Sequence, residues 1–291
     1  LRPNPPNQMK QKDQNGTSTS IKHRLVVHIQ PKGNLGKSTE AILRGEWMRQ
    51  YEIPWKGYDL DADNHSFSET FPEEVTLVKP SRERIEVGDV IKILRKVNQI
   101  PVTVIDPQAH MNNIILSALA LIEFPKFAAE AQARATVFVS PVDEVTELEN
   151  ISKTVEALKD SVDYVIVKNR GRVSATKFFD GSQLEKELQE YKAAYLEIPE
   201  LLDDTGKYLR GMQVKLERIL SPAEIIENSA LKIDLVHRTI FKTWVREHFR
   251  RLDAIKSYLV PDEFAERIQP QAEAKPEKAR RAVGINLENV L

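Results

Sequence analysis

The sequence of 291 residues contains no cysteine, which excludes disulfide bonds, thiolate metal sites and cysteine-ligated iron–sulfur clusters. No apolar run approaches about 18 residues, so nothing predicts a membrane-spanning helix. The formal net charge is only −1, so any site for nucleic acid or an anionic membrane has to be a local patch. The six histidines are scattered without the spacing of a metal site. The chain starts at Leu1 without an apolar leader, and we expect a cytoplasmic protein.

A phosphate-binding turn is the pattern around which the rest of the chain is interpreted. An apolar run at 25–29 predicts a strand, residues 40–51 favour a helix, and between them stands Pro31-Lys32-Gly33-Asn34-Leu35-Gly36-Lys37-Ser38-Thr39. Backbone N–H groups of such a turn and the dipole of the following helix hold phosphate. Lys37 would reach the β- and γ-phosphates, and the Ser38 hydroxyl would bind Mg²⁺. The alternative is an ordinary strand–turn–helix with incidental lysines.

The loop departs from the usual G-x-x-x-x-G-K-[ST] pattern, because Pro31 stands where the first glycine is expected. It carries instead a second lysine, Lys32, five residues before Lys37. This arrangement resembles the deviant Walker A loop, K-G-G-x-G-K-[ST]-[ST], of the ParA/MinD family of dimerising ATPases. Asn34 replaces the second glycine, and asparagine tolerates a left-handed backbone, so we expect the loop geometry to be kept. The Gly-Asn pair is similar to a plasmid-stability branch of the family. The residues predicted to bind nucleotide in this loop are Gly33, Asn34, Leu35, Gly36, Lys37, Ser38 and Thr39.

Two carboxylates mark the end of the second predicted strand, at 55–60. Asp59 and Asp61 are two residues apart and therefore point the same way. At the carboxyl edge of a parallel sheet they would face the crevice where nucleotides bind. The segment resembles the family's D-x-D-P-Q-x-N motif. That resemblance implies that Asp61 orients the attacking water and that Asp59 supports Mg²⁺ through water. An acidic turn after a strand is the alternative.

A third motif is the apolar strand predicted at 102–105, which ends in Asp106 and Pro107. This is the Walker B pattern, and the resemblance implies that Asp106 holds Mg²⁺ through a bound water. A buried strand that merely ends in a turn is the alternative for this segment taken alone.

The base of the nucleotide is assigned to residues that follow two later strands. A strand at 162–167 leads into Lys168-Asn169-Arg170, which resembles the base-recognition element of the family and implies that Asn169 contacts adenine beside Arg170. No aspartate occurs within 168–172, so ATP is favoured over GTP. A strand at 194–198 ends at Pro199, near where the family's adenine pocket closes. The alternative is that Asn169 only caps a turn.

Short β-rich runs alternate with helical runs along most of the chain. Helices are expected at 86–98, 112–123 and 144–159, with a further helical piece ending near Arg134, and strands at 74–78 and 136–140. This alternation predicts a doubly wound α/β fold, mostly parallel, with helices on both faces. The resemblance makes it a P-loop NTPase of the deviant Walker A class, with a helical C-terminal extension. The predicted divisions are a disordered tail at 1–20, an ATPase domain at 21–262 that includes helices at 222–259, and a disordered tail at 263–291.

Lys32 has no electrostatic task within its own subunit if Lys37 and Mg²⁺ already neutralise the triphosphate. In the family that the sequence resembles, this lysine reaches the phosphates of the partner subunit. The resemblance therefore implies a homodimer joined by ATP and released by hydrolysis, with a protein partner that stimulates hydrolysis. A solvated surface lysine is the alternative.

A basic stripe marks the C-terminal helical region. Arg238, Lys242, Arg246 and Arg250 fall four residues apart and share one side of a helix. The simpler interpretation is a solvated face balanced by Glu247 and Asp253; the other is a patch for non-specific DNA binding.

Three functions remain open on the sequence. The first is an ATPase whose nucleotide-gated dimer positions or segregates a DNA element such as a plasmid. The second is a metabolic P-loop kinase or ligase that acts on a small molecule, and the third is an ATP-binding protein with little turnover. Lys32 and the Asp59/Asp61 pair favour the first.

Overall fold

The computed structural model describes residues 20–173 and 175–269. Most of the two predicted tails, residues 1–19 and 270–291, lies outside the described residues. Within the described part, no helix is long and apolar enough to cross a membrane.

A seven-stranded sheet forms the centre of the molecule, in the order β3-β2-β4-β1-β5-β6-β7, and every neighbouring pair is parallel. The strands are β1 (His23–His28), β2 (Trp55–Asp59), β3 (Val75–Leu77), β4 (Val102–Asp106), β5 (Ala133–Val139), β6 (Asp163–Asn169) and β7 (Ala194–Ile198). From β1 the chain passes to β2 on one side and later reaches β5 on the other. The carboxyl end of β1 therefore lies at the point where the strand order reverses, which is where α/β sheets bind ligands.

Helices cover both faces of the sheet and bury two apolar clusters, one on each side. They are α1 (Lys37–Gln50), α2 (Ser66–Thr70), α3 (Val87–Leu94), α4 (Asn112–Leu121), α5 (Phe124–Glu130), α6 (Val145–Leu158), α7 (Gln183–Glu190), α8 (Asp203–Leu216), α9 (Pro222–Glu227), α10 (Leu235–Ala254), α11 (Lys256–Leu259) and α12 (Asp262–Arg267). The doubly wound, P-loop NTPase-like α/β fold predicted from the sequence is confirmed. The sheet is parallel throughout its described strands, not only mostly so.

The helical region after residue 200 packs into the same core as the phosphate-loop helix. The Trp47 indole N–H of α1 donates to Asp253 Oδ1 of α10 at 2.8 Å, in a buried contact. The helices expected at 222–259 are present as α9, α10 and α11, and the main interruption lies between α9 and α10. Asn228 is extended and its side chain accepts from Ala230 N, and Lys232 has a left-handed φ of 48° that ends the short 3₁₀ turn Ser229–Leu231.

Two of the predicted boundaries are wrong. The helical piece expected to end near Arg134 ends at Glu130, because Gln132 turns the chain with a φ of 50° and Arg134 already lies in β5. The C-terminal tail expected from residue 263 is also wrong for residues 263–269. Phe264 and Ile268 are buried in the core there, and α12 begins at Asp262.

Candidate functional site

The predicted phosphate loop joins β1 to α1 at the carboxyl edge of the sheet. Asn34 has a φ of 59° and Gly36 a φ of 85°, so the left-handed geometry expected at Asn34 is confirmed. The ends of the loop are fixed by neighbours. Gln30 exchanges two buried hydrogen bonds of 2.7 Å with the backbone of Ser140, and His110 N donates to Pro31 O at 2.9 Å. Successive backbone N–H groups in a turn with left-handed residues can hold an anion.

Lys37 starts α1 and lies almost buried inside the loop. Its Nζ donates to the carbonyl oxygen of Lys32 at 2.8 Å, so the loop closes on its own lysine. Burial lowers the pKa of Lys37, although the nearby carboxylates Asp106 and Asp61 act in the opposite direction. Ser38 is half-buried and Thr39 is exposed in the first turn of the same helix.

The two predicted strand-end aspartates meet across neighbouring strands, because Asp59 of β2 is in register with Asp106 of β4. Asp59 accepts backbone hydrogen bonds from Asp61 at 3.0 Å and Ser68 at 2.9 Å. Burial nevertheless raises the pKa of Asp59. Burial also raises the pKa of Asp106 to about 7, while the Ser38 hydroxyl and Lys37 beside it favour the charged form. The structure thus brings three of the sequence motifs to one place.

The chemistry of this group fits Mg²⁺. Asp106 Oδ1 is buried and has no hydrogen-bond partner among the described residues, and Ser38 lies beside the same carboxylate. Mg²⁺ takes oxygen ligands, keeps several waters and uses substrate phosphates, so few protein ligands are required. The described residues contain no cluster of three or more His, Asp or Glu side chains arranged as a metal site. Ser38 and Asp106 would hold the ion, and Asp59 would support it.

Asp61 closes a tight acidic turn. Its Oδ1 accepts from the backbone N–H groups of Asp63 at 3.1 Å and Asn64 at 3.0 Å. The turn that the sequence left as an alternative is therefore present. Both bonds end on one oxygen, so Oδ2 can still accept a hydrogen bond from a water. The water-orienting role of Asp61 stays a prediction.

Gln108 was not singled out in the sequence, although it lies two residues after Asp106. Its Nε2 donates to Asp63 Oδ2 at 2.8 Å, which joins the loop after β4 to the loop after β2. The two loops that carry the aspartates are thus tied together on the solvent side. The sequence offered no signal for the pair, because its members are 45 residues apart.

Asn169 packs against the phosphate loop at the end of β6. Its Nδ2 donates to Leu35 O at 3.0 Å, and its Oδ1 accepts from Gly171 N at 3.2 Å. The side chain therefore clamps the loop and also caps a turn. Each amide end retains capacity for one more hydrogen bond, and the adenine contact stays a prediction.

A cleft of about 550 Å³ opens beside this clamp, lined by Arg170, Gly171, Arg172, Val173 and Glu200. Arg170 forms an ion pair with Glu197 at 2.9 Å on the neighbouring strand. Pro199 contributes its carbonyl oxygen to the Trp244 indole N–H at 2.7 Å, which fastens the end of β7 to α10. Of the residues predicted at the base of the nucleotide, Arg170 lines this cleft, and the roles of Arg170 and Pro199 stay predictions.

A buried charge network beneath the loop was missed in the sequence. Arg44 donates to both oxygens of Glu40 at 3.0 and 2.9 Å, and His28 Nε2 lies 3.1 Å from Glu40 Oε2. Burial would raise the pKa of Glu40, but Arg44 and His28 outweigh it and hold the pKa below its usual value. Because His28 ends β1 while Glu40 and Arg44 belong to α1, the network fixes the two ends of the loop relative to each other. The i,i+4 spacing of Glu40 and Arg44 was the available signal.

Lys32 forms an ion pair with Glu144, which stands at the start of α6. The lysine is half-exposed and points across the mouth of the loop within its own subunit. Its predicted role on the partner's phosphates is not visible in a single chain. Glu144 was not among the candidate residues, since nothing in its local sequence marks it.

Comparisons with known proteins give matches in fold. No protein-family model and no curated protein matches the sequence. Among solved structures, the chain is similar to the MinC:MinD cell division protein complex of Aquifex aeolicus, with 15% identity and a TM-score of 0.41 over 77% of this chain and 94% of that one. It is similar to the MinD cell division protein of the same organism, with 17% identity and a TM-score of 0.40 over 77% and 96%. A nucleotide-binding protein in complex with ADP from Archaeoglobus fulgidus matches at 15% identity and a TM-score of 0.35, over 62% and 82%. At 15–17% identity the likeness concerns the fold alone.

Proposed function

We propose that this protein binds ATP with Mg²⁺ at the phosphate loop, pairs with a second copy through the bound nucleotide, and hydrolyses ATP. The observation that carries the proposal is the convergence of the loop with Asp59 and Asp106, two buried carboxylates in register at the point where the strand order reverses. Bound Mg²⁺ would neutralise charge on the phosphate oxygens.

The roles of the residues follow from their positions. Lys37 would exchange its bond to the Lys32 carbonyl for a phosphate oxygen, which is a stronger acceptor because it is charged. Asp61 would orient the attacking water through Oδ2, since phosphoryl transfer depends on positioning more than on a strong base. Asn169 keeps the loop in shape through Leu35 O and can offer its remaining amide capacity to adenine.

The pairing of two subunits is supported by the surface around Lys32. Val145 and Phe178 are 61% and 59% exposed, although both are apolar. The two segments that carry them are joined, since Phe178 N donates to Asp143 Oδ1 at 3.0 Å, and Val145 follows Glu144, the partner of Lys32. A second subunit that covers this face would bury them and bring Lys32 to its partner's nucleotide.

Light scattering with a non-hydrolysable ATP analogue and Mg²⁺ tests the pairing. Wild type is expected to double in mass, and Lys32→Ala to stay monomeric while it still binds nucleotide. Lys153→Ala, which removes an exposed lysine from α6, is the matched control and should pair like wild type. The proposal fails if wild type and Lys32→Ala both remain monomeric with nucleotide bound.

Positioning of a DNA element is the finer part of the proposal, and the exposed side of α10 supports it. Lys242, Arg246 and Arg250 are exposed along this helix, whereas Arg238 is half-buried and donates to Asn228 O at 3.2 Å. Arg250 also pairs with Glu247 at 3.2 Å. Three phosphate contacts would give a slope of about −2.7 for log affinity against log salt.

A gel-shift titration with duplex DNA between low and moderate salt measures that slope. Lys242→Ala combined with Arg246→Ala should reduce it to about −0.9, the value for one remaining contact. No shift of wild type at low salt in the presence of ATP would remove DNA from the proposed function and leave the ATPase unaffected. The stimulating protein partner predicted from the sequence stays a prediction.

A further inference from the structure

Residue 32 is held at two points in the single subunit. Its side chain is paired with Glu144, and its carbonyl oxygen accepts from Lys37 Nζ at 2.8 Å. The first contact occupies the Lys32 side chain, which the proposed dimer needs. The second occupies the Lys37 side chain, which the phosphates need. Binding of ATP therefore competes with both contacts of residue 32.

We propose that Glu144 is a positioning residue that retains Lys32 within its own subunit and thereby sets the ATP concentration at which two subunits pair. This inference rests on the proposed function and concerns its regulation.

The first step is the arrival of the phosphates at Lys37. A charged phosphate oxygen is a stronger acceptor than a neutral carbonyl, so Lys37 exchanges its partner and the bond at Lys32 O is lost. The backbone at residue 32 then keeps one restraint fewer, which loosens the second contact.

The second step is the release of Lys32 from Glu144. The pair is exposed to solvent, with 32% of the lysine side chain and 53% of the glutamate side chain accessible. Exposed ion pairs are weak and readily exchanged, so the contact can delay pairing without preventing it. The triphosphate also offers Lys32 a larger negative charge than one carboxylate does.

The side chain of Glu144 can hold Lys32 because it makes no hydrogen bond that caps α6. The backbone carbonyl of Glu144 accepts from Glu147 N and Leu148 N at 3.1 Å, and its side chain makes no capping bond. Glu144→Gln therefore leaves the start of the helix intact and removes only the charge that holds Lys32.

The experiment is light scattering of the full chain against increasing concentrations of a non-hydrolysable ATP analogue with Mg²⁺. Glu144→Gln should lower the midpoint for pairing by about two- to fivefold, the range expected from the loss of an exposed ion pair. Glu149→Gln removes the same charge from an exposed position on α6 and should leave the midpoint at the wild-type value.

A second measurement separates the release of Lys32 from a general gain in nucleotide affinity. In the monomeric Lys32→Ala background, Glu144→Gln should leave the affinity for ADP unchanged. A gain in ADP affinity in that background as large as the change in the pairing midpoint would overturn the inference. A Glu144→Gln midpoint at or above that of wild type would overturn it as well. If wild type itself never pairs, both the proposed function and this inference fail. If wild type pairs and Glu144→Gln matches Glu149→Gln, only the inference fails.

Discussion

Gly36→Ala is the sharpest perturbation of the candidate site, because two independent constraints meet at that glycine. The backbone there has a φ of 85°, and a Cβ placed on it would lie 2.4 Å from Asn169 Nδ2. An L-residue in a left-handed conformation costs about 1–2 kcal/mol. The overlap would also displace the amide from Leu35 O, a hydrogen bond that contributes about 0.5–1.5 kcal/mol.

The expected total penalty is about 1.5–3.5 kcal/mol, felt in stability or in nucleotide binding. If the loop adopts this geometry only with nucleotide bound, affinity falls by about 10- to 400-fold. If the empty loop already has it, the free energy of unfolding falls instead. Urea unfolding and titration with a fluorescent nucleotide together measure both parts.

A double-mutant cycle with Asn169→Ala isolates the contact. Once the amide is absent, Gly36→Ala should keep only the backbone strain, so the coupling between the two substitutions should be about 0.5–1.5 kcal/mol. Gly211→Ala in α8, where an added Cβ meets nothing within 4 Å, is the control and should be neutral or stabilising. Strictly additive effects of Gly36→Ala and Asn169→Ala, or a Gly36→Ala protein that equals wild type in both assays, would refute the clamp.

Two further predictions concern groups outside the loop. Gln108→Ala removes the 2.8 Å hydrogen bond to Asp63, which positions the two loops that carry the aspartates. We expect kcat for ATP hydrolysis to fall by about two- to tenfold with KM nearly unchanged. A change in KM alone would contradict this prediction. His248 is buried with neither ring nitrogen partnered among the described residues, and burial lowers its pKa to about 4. The unfolded chain therefore takes up a proton near pH 6.5 that the native state refuses, so His248 makes stability decline as pH falls from about 6.5 to 4. His248→Leu should reduce the loss of stability between pH 7 and pH 5 by about 2 kcal/mol in urea unfolding, and an unchanged loss would contradict the assignment.

The sequence predicted the parallel sheet and the proximity of the two strand-end aspartates, for a physical reason. Strands buried on both faces are apolar runs, and parallel strands place their carboxyl ends at one edge, so Asp59 and Asp106 could be brought together without coordinates. The left-handed backbone at Asn34 followed from the few residues that tolerate it. These inferences depend on local pattern and on general topology.

The long-range polar pairs could not be predicted from the sequence. Gln108 with Asp63, Lys32 with Glu144 and Asn169 with Leu35 O connect residues 45, 112 and 134 positions apart. None of these pairs has a periodic or compositional signal.

The carboxylates at the two edges of the sheet differ in how strongly cations stabilise their charged form. Asp163, at the start of β6, pairs with Arg24 and Arg134, and these cations outweigh burial and hold its pKa below the usual value. At the opposite edge, burial prevails and raises the pKa of Asp59 and of Asp106, despite the nearby Lys37. A protein that used these carboxylates for stability would neutralise them as it neutralises Asp163. Under the proposed function, a divalent cation bound with its phosphates would offset the cost of burying Asp59 and Asp106 in their charged form.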